Sequence, residues 1–237
     1  SKIMTARGIC SRREADKYIK CGFVSVNGKI VDQLGAKIDI NSNIILSKEG
    51  LKEQGKLVTF LLNKPIGYVS GQPEKRYKPA ISLINKSNHW SKGTPQKILN
   101  NSHLKGIAPA GRLDIDSCGL IVFTQDGRVA KHLIGENSEV EKEYLVRIKG
   151  TLSEKNLELL NHGLKLDGKE LKMAKVKIKN KDQLQFILTE GKKRQIRRMC
   201  ELVNLKVVGL KRVRIGKIKL GHLPEGNWRY LNKNEFF

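Results

Sequence analysis

Cysteine is scarce and unpatterned in this chain of 237 residues. Cys10, Cys21, Cys118 and Cys200 form no Cys-x-x-Cys pair and no repeated spacing. That argues against a disulfide framework and against a zinc site, so no metal is expected. Reduced thiols in a cytoplasmic protein fit this usage. Cys10 and Cys200 fall at apolar positions of expected helices, where a small core side chain suffices. No run of about 18 apolar residues occurs, so no membrane span is expected. The chain opens Ser1-Lys2-Ile3-Met4 without a long apolar stretch behind it, which is not a signal-peptide pattern. The missing initiator Met suggests that a few residues precede Ser1. Acids are also short: 23 Asp and Glu face 46 Lys and Arg, a net charge of +23. Such an excess calls for a polyanionic partner, nucleic acid first. An anionic membrane surface is second, but no basic amphipathic helix with a Trp/Phe face is present.

What is there divides into modules, with no internal repeat. Residues 1–48 read as a compact unit. Ser11 followed by Glu14 is a capping box, which predicts a helix from about residue 12 to residue 20. Ala15, Tyr18 and Ile19 share one face; Arg12, Arg13, Lys17 and Lys20 fall mostly on the other, as an RNA-facing or a merely solvated surface. Gly22 ends the helix. Apolar runs on either side of Asn27-Gly28 predict a hairpin. Ala36, Ile38 and Ile40 continue a strand-like alternation. Residues 49–56 are polar and Gly-containing and read as a linker.

The second module spans 57–237. Strands are expected at 58–62, 120–124, 144–149, 174–179, 184–188, 207–208 and 212–215, and near Trp228-Arg229. Short helices are expected after Asp126-Gly127 and at 195–203. Residues 71–105 are rich in Lys, Asn, Ser, Pro and Gly, with one apolar piece at 81–84, and read as an irregular surface insertion. Many strands and few helices in mixed order predict an α+β fold: a small α/β unit, then a domain on a mixed, largely antiparallel sheet.

One segment stands out for chemistry, Gly111-Arg112-Leu113-Asp114-Ile115-Asp116-Ser117-Cys118-Gly119-Leu120. A carboxylate on a loop leading into an apolar strand suits catalysis. By spacing alone an Asp in a loop is more often a turn residue or cap.

Gly8-Ile9-Cys10-Ser11-Arg12-Arg13-Glu14-Ala15-Asp16 with Gly22-Phe23-Val24-Ser25-Val26-Asn27-Gly28-Lys29 resembles the S4 RNA-binding domain. The resemblance implies RNA contacts from Arg12, Arg13, Lys17 and Lys29. Gly-Arg-Leu-Asp at 111–114, with Asp116, Ser117, Gly119-Leu120 and Thr124-Gln125-Asp126-Gly127, resembles the main motif of the RsuA-branch pseudouridine synthases of the RluB, RluE and RluF type. The first module is most like the RluF type. The family more often has Thr where Ser117 stands, and Cys118 fills a variable slot. Glu141-Lys142-Glu143-Tyr144-Leu145-Val146 resembles the second motif. Gly191-Lys192-Lys193-Arg194-Gln195-Ile196-Arg197-Arg198-Met199 resembles the third.

The resemblance implies that Asp114 is the nucleophile and that Tyr144 stacks on the target uracil. It implies that Arg197 pairs with the catalytic carboxylate and that Ile215 lies beneath the base, with Arg112 beside the substrate. Residues 192–217 hold ten Lys/Arg against one acid, Glu201, so Lys193, Arg194 and Arg198 are phosphate-binding candidates. Pseudouridine formation breaks the N1–C1′ bond, turns the base and joins C5 to C1′. Nothing is oxidised or hydrolysed in sum, so no cofactor is expected. The carboxylate could attack C1′, attack uracil C6, or remove the C2′ proton on a glycal route. It must stay ionised, which direct pairing with Arg197 would secure. The base must also be flipped out of folded RNA, at a cost of a few kcal/mol.

A non-catalytic S4-containing RNA-binding protein would explain the charge but not the three motifs in family order. A hydrolase using Asp114 and Asp116 is compatible with i, i+2 spacing, but no metal-ligand cluster accompanies it. The branch implies ribosomal RNA, 23S rRNA from the first module's likeness, with a tRNA as a further substrate, and a monomeric enzyme.

Overall fold

The computed structural model describes residues 1–71, 76–91 and 98–237. In the first module, α1 (Lys2–Ala6) precedes α2 (Arg12–Lys20). The capping box at the start of α2 is formed. The Ser11 N–H donates to Glu14 Oε2 at 2.9 Å, and the Glu14 N–H donates to Ser11 Oγ at 3.2 Å. β1 (Val24–Val26) turns into β2 (Lys29–Ile30) through Asn27 and Gly28, both at positive φ, as a two-residue hairpin with matching twist requires. The third strand of this sheet is β3 (Ile44–Leu46), which pairs with the other edge of β1. The strand expected around residues 36–40 does not form: Ile40 points to solvent, so its alternation has no core to face.

Residues 49–56 are not an irregular linker. They lie in α3 (Lys48–Gly55) and its C-cap Lys56, and Ser47 Oγ accepts the Gly50 N–H at 3.1 Å. Gln54 of α3 is buried and donates through Nε2 to the Ile9 carbonyl at 2.8 Å. The helix therefore belongs to the first module, anchored by a polar side chain rather than by an apolar stripe.

The second module is a nine-stranded sheet. Its strands are β4 (Thr59–Lys64), β5 (Ala108–Pro109), β6 (Cys118–Thr124), β7 (Lys142–Lys149), β10 (Lys175–Asn180), β11 (Gln183–Leu188), β12 (Lys206–Ile215), β13 (Ile218–Lys219) and β14 (Trp228–Tyr230); β8 (Lys165–Leu166) and β9 (Lys169–Glu170) make a separate hairpin. The main path runs β10-β11-β7-β12-β6-β4-β14, with β13 on β12 and β5 on β6. Every pairing is antiparallel except β12 with β6. The two strands expected at 207–208 and 212–215 are one ten-residue strand, β12, kinked by register shifts after Val207 and after Arg212.

Helices α4 (Asn101–Leu104), α5 (Gly127–Ile134), α6 (Glu154–Asn161) and α7 (Gln195–Leu202) complete the domain. Successive residues of the central strands serve different cores. Phe60, Leu62, Ile121 and Phe123 join Val146, Phe186, Met199 and Trp228, while Leu61, Leu120 and Val122 join Leu133, Ile215 and Leu223. Burial on both faces explains why 120–123 reads as a continuous apolar run rather than an alternation. β10 is an edge strand, with Val176 buried but Ile178 exposed among its lysines.

Residues 71–105 are only partly a surface excursion. Ala80 and Ile84 enter the main core, and the Trp228 indole donates to the Asn85 carbonyl at 2.7 Å. Two short 3₁₀ turns, Ala80–Leu83 and Lys86–Asn88, carry these contacts; residues 72–75 and 92–97 lie outside the described residues.

The parallel contact between β6 and β12 is close. Gly119 sits at φ +105°, and a Cβ there would lie 2.3 Å from the Arg212 carbonyl oxygen. Gly119→Ala should therefore destabilise the domain by about 1–3 kcal/mol or more. An unchanged denaturant midpoint would contradict this packing.

Candidate active site

The loop between β5 and β6 is fastened on both sides of Asp114. Leu113 is buried, and the buried Ser70 hydroxyl brackets its backbone: Ser70 Oγ accepts the Leu113 N–H at 2.9 Å and donates to the Leu113 carbonyl at 2.6 Å. The Gly67 N–H donates to the Ile115 carbonyl at 2.8 Å, and the Ser117 N–H closes a turn onto the Asp114 carbonyl at 3.1 Å. The segment 64–70 thus holds the residues flanking Asp114, while the Asp114 side chain keeps 35% of its surface exposed.

Lys64, at the base of this segment, is fully buried. Its ammonium donates to the carbonyls of Pro65 and Tyr68, both at 2.9 Å. Burial pushes it down to about 8, opposed by Cys118, Asp114 and Asp116.

The cations come from α7. Arg194, its N-cap, adopts the left-handed conformation at φ 53°, which directs its side chain across the loop. Arg194 Nη1 lies 3.0 Å from Asp116 Oδ2 and 4.0 Å from Asp114 Oδ2. Arg197 does not pair with Asp114 as expected. Its Nε lies 3.3 Å from Asp116 Oδ2, and its Nη2 donates to the Asp116 carbonyl at 2.8 Å. Its Nη1 reaches the Val207 carbonyl at 3.3 Å. The Arg197 guanidinium is buried and spent on loop and strand backbone, so the ion pair to Asp114 falls to Arg194.

Tyr144 is buried on β7, with the Arg212 guanidinium carbon 6.0 Å from its ring centre. Both line a cavity of about 330 Å³ with Gly111, Arg112, Lys142 and Lys192. Gly111 and Arg112 bring the Asp114 loop to the rim of that cavity. Ile215 does not line it. It is buried in the neighbouring core with Leu133 and Val140, and the apolar wall is made instead by Leu133 and Ile134 of α5.

Arg212 is a residue that sequence reasoning passed over. Its Nε donates to the Leu120 carbonyl at 2.7 Å and its Nη1 to the Arg112 carbonyl at 3.4 Å, while Nη2 is buried without a hydrogen-bond partner among the described residues. Lys142 is pushed down to about 8 by burial, then by Arg212 and Lys172. A second cavity, about 420 Å³, is lined by Arg194, Arg197, Asn204 and Lys206. Lys64, Ser70 and Lys142 were also missed. Only Lys64, a lysine closing an apolar strand before Pro65, carried a visible signal.

Of the expected RNA-contacting residues, Arg12, Arg13, Lys17, Lys29, Lys193 and Arg194 are exposed. Arg198 is instead held in a bidentate ion pair by Asp167, at 2.6 and 2.9 Å. Among the described residues no His/Cys/Asp/Glu cluster could hold a metal ion, and no helix is long and apolar enough to cross a membrane.

A family profile described as RNA pseudouridylate synthase matches residues 58–202, and the S4 domain profile matches residues 1–44. The chain belongs to the RNA pseudouridine synthases. This synthase is 35% identical over 240 residues to the dual-specificity RNA pseudouridine synthase RluF of Escherichia coli (strain K12), covering 99% of this chain and 76% of that one. It is 33% identical over 241 residues to the ribosomal large subunit pseudouridine synthase B of Bacillus subtilis (strain 168), covering 99% and 92%. A solved pseudouridylate synthase superposes with a TM-score of 0.67 at 26% identity, covering 98% and 95%. These relatives place the synthase in the RsuA branch, as an RNA-binding isomerase rather than a non-catalytic binder.

Two predictions follow from the loop. Ser70→Ala leaves the Leu113 N–H and carbonyl buried and unpaired, at about 1–3 kcal/mol; thermal unfolding should register the loss, and Ser70→Thr should restore much of it. Lys64 is neutral when folded but protonated when unfolded between about pH 8 and 10.5. In that window the unfolded state binds more protons, so this residue's contribution to stability rises with pH. Relative to Lys64→Met, the wild type should gain stability from pH 8 to pH 10. A difference independent of pH would contradict the buried ammonium.

Proposed function

We propose that this synthase converts a uridine of 23S ribosomal RNA, and a tRNA uridine as a further substrate, with Asp114 as the nucleophile. The observation that carries the assignment is the loop itself. Its backbone is fastened at Leu113 and Ile115, and the carboxylate between them stays accessible beside Arg194. Such fixing costs no reorganisation at the moment of reaction.

In this reading Arg194 lies beside the Asp114 carboxylate as its cationic neighbour. Arg197 holds Asp116 and the loop, acting as a positioning residue. The uracil enters the 330 Å³ cavity against Tyr144, with Leu133 and Ile134 as the opposite apolar wall. The Arg212 Nη2, which has no hydrogen-bond partner among the described residues, is a donor available to a uracil carbonyl. The carboxylate attacks C1′ or C6, or takes the C2′ proton. On each route the N1–C1′ bond breaks, C5 bonds to C1′, and the C5 proton is lost as N1 gains one.

The relatives' names support the RNA class: one is called dual-specificity and one acts on the large ribosomal subunit. Arg12, Arg13 and Lys17 on α2, with Lys29, Lys193 and Arg194, offer the phosphate contacts, and affinity should fall steeply with salt.

Asp114→Ala and Asp114→Asn should abolish pseudouridine formation while RNA affinity stays within about threefold, read by tritium release from uridine labelled at C5 and by filter binding. Isomerisation at the normal rate in either variant would sink the assignment. Mapping pseudouridines in total RNA with and without the gene tests the substrate, and no change in 23S rRNA would exclude it. Because α3 belongs to the first module, truncation should remove residues 1–56. RNA affinity should drop at least tenfold, and unchanged affinity would count against RNA binding by that module.

A further inference from the structure

The S4 module is docked on the catalytic domain through residues 127–131 of one helix. Helix α5 begins at Gly127, with two residues between it and the end of β6 at Thr124. Glu14 Oε2, which already accepts the Ser11 N–H at 2.9 Å, also accepts the Gly127 N–H at 2.9 Å. One carboxylate oxygen therefore caps the first turns of α2 and α5, where helix N–H groups lack partners. The approach is so close that a Cβ on Gly127 would lie 2.1 Å from Ser11 Cβ and 2.9 Å from Ser11 Cα. Two further latches follow along α5. Arg128 Nη1 donates to Gln54 Oε1 at 2.9 Å, and Gln54 in turn holds the Ile9 carbonyl. Lys131 Nζ donates to the carbonyls of Thr5 at 2.9 Å and Ala6 at 3.2 Å.

The other end of the same helix meets the active site. Leu133, Ile134 and Gly135 line the 330 Å³ cavity. A Cβ on Gly111 would lie 3.3 Å from Ile134 Cγ2, so α5 also packs on the loop that leads to Asp114. From Gly127 to Ile134 the helix rises about 10 Å.

We propose that α5 is a rigid coupling that sets the distance between the RNA-binding face of the S4 module and the cavity for the target base, with Gly127 as its specificity-determining position. RNA held on Arg12, Arg13 and Lys17 then presents one uridine, at a fixed offset, to the cavity. This rests on the uridine cavity proposed above. The docking residues touch neither the cavity nor Asp114, so they act on selection rather than on chemistry.

The test compares wild type with Gly127→Ala, and with Arg128→Ala/Lys131→Ala, which removes both latches, together with the Arg128–Asp126 ion pair at 2.7 Å, and leaves Gly127 in place. Two substrates are used under single-turnover conditions: a 23S rRNA transcript, and a short stem-loop excised around its modified uridine. The coupling predicts at least a tenfold loss of kcat/KM on the transcript, little change on the stem-loop, and new modification at neighbouring uridines. Wild-type activity of both variants on the transcript, or equal losses on both substrates, would overturn it.

If wild type modifies no uridine in 23S rRNA, the proposed substrate fails and docking is read without activity. Hydroxyl-radical footprints of the wild-type protein and of the two variants on the transcript should then differ. Wild type should give two protected stretches at fixed spacing, and the variants one or a smeared pair. Identical footprints would refute the coupling.

Discussion

The parallel pairing of β6 with β12, closed at Gly119 against the Arg212 backbone, is the contact on which the site depends. β6 brings the Asp114 loop at its start and α5 at its end. β12 follows α7, which supplies Arg194 and Arg197, and itself supplies Arg212. Strands that entered the sheet with a larger residue at 119 would part these two halves. The loop would then lose the Arg212 Nη1 contact with the Arg112 carbonyl and the Arg197 contact with the Asp116 carbonyl. The position reads in sequence as one glycine of the Asp114 motif, ahead of an apolar run. Its meaning lies wholly in a partner strand 93 positions later, from the Gly119↔Arg212 register.

What was legible follows the same division between local and long-range causes. The capping box at Ser11 and Glu14, the Asn27-Gly28 hairpin and the strands through 120–124 and 144–149 are written in neighbouring residues, and the structure has them. Helix α3 was hidden because a buried Gln54 replaces the apolar stripe that periodicity seeks. The unity of β12 was hidden by its two bulges, which break the alternation on which a single strand is recognised. Family likeness put Arg197 next to Asp114, but one left-handed residue decides otherwise. Arg194 at φ 53° swings over the carboxylates, and Arg197, within the helix, is drawn to backbone carbonyls. Such a conformation costs a non-glycine residue about a kcal/mol or more, which fits a position where function constrains the backbone.

Gly127 makes the same point for domain organisation. Beside Asp126 it reads as a turn, and Asp126 does cap α5 through the Arg128 N–H at 2.9 Å. The decisive partner, Glu14, lies 113 residues earlier. An acid that sequence assigns to one capping box serves two helices, and the second use joins the modules.

The scarcity of acids then acquires a structural sense. Against 46 Lys and Arg, the 23 acids cannot neutralise the surface, and several serve as internal ties. Glu141 and Glu143 hold Arg214, Glu235 holds Arg229, Asp167 holds Arg198, Asp116 holds Arg194 and Arg197, and Glu14 joins the modules. Of the cations on the exposed face of α2, Lys17 reaches Glu53 at 3.8 Å, and Arg12 and Arg13 are among the phosphate contacts proposed above. Phosphate contacts carry affinity but little sequence information. A protein whose binding energy is mostly of this kind must obtain selectivity from geometry, from where a bound duplex places its bases relative to the cavity. A first module tethered by a free linker would give charge without address. A polar dock on α5, close enough to require glycine, gives the same charge a fixed offset from Tyr144 and Asp114.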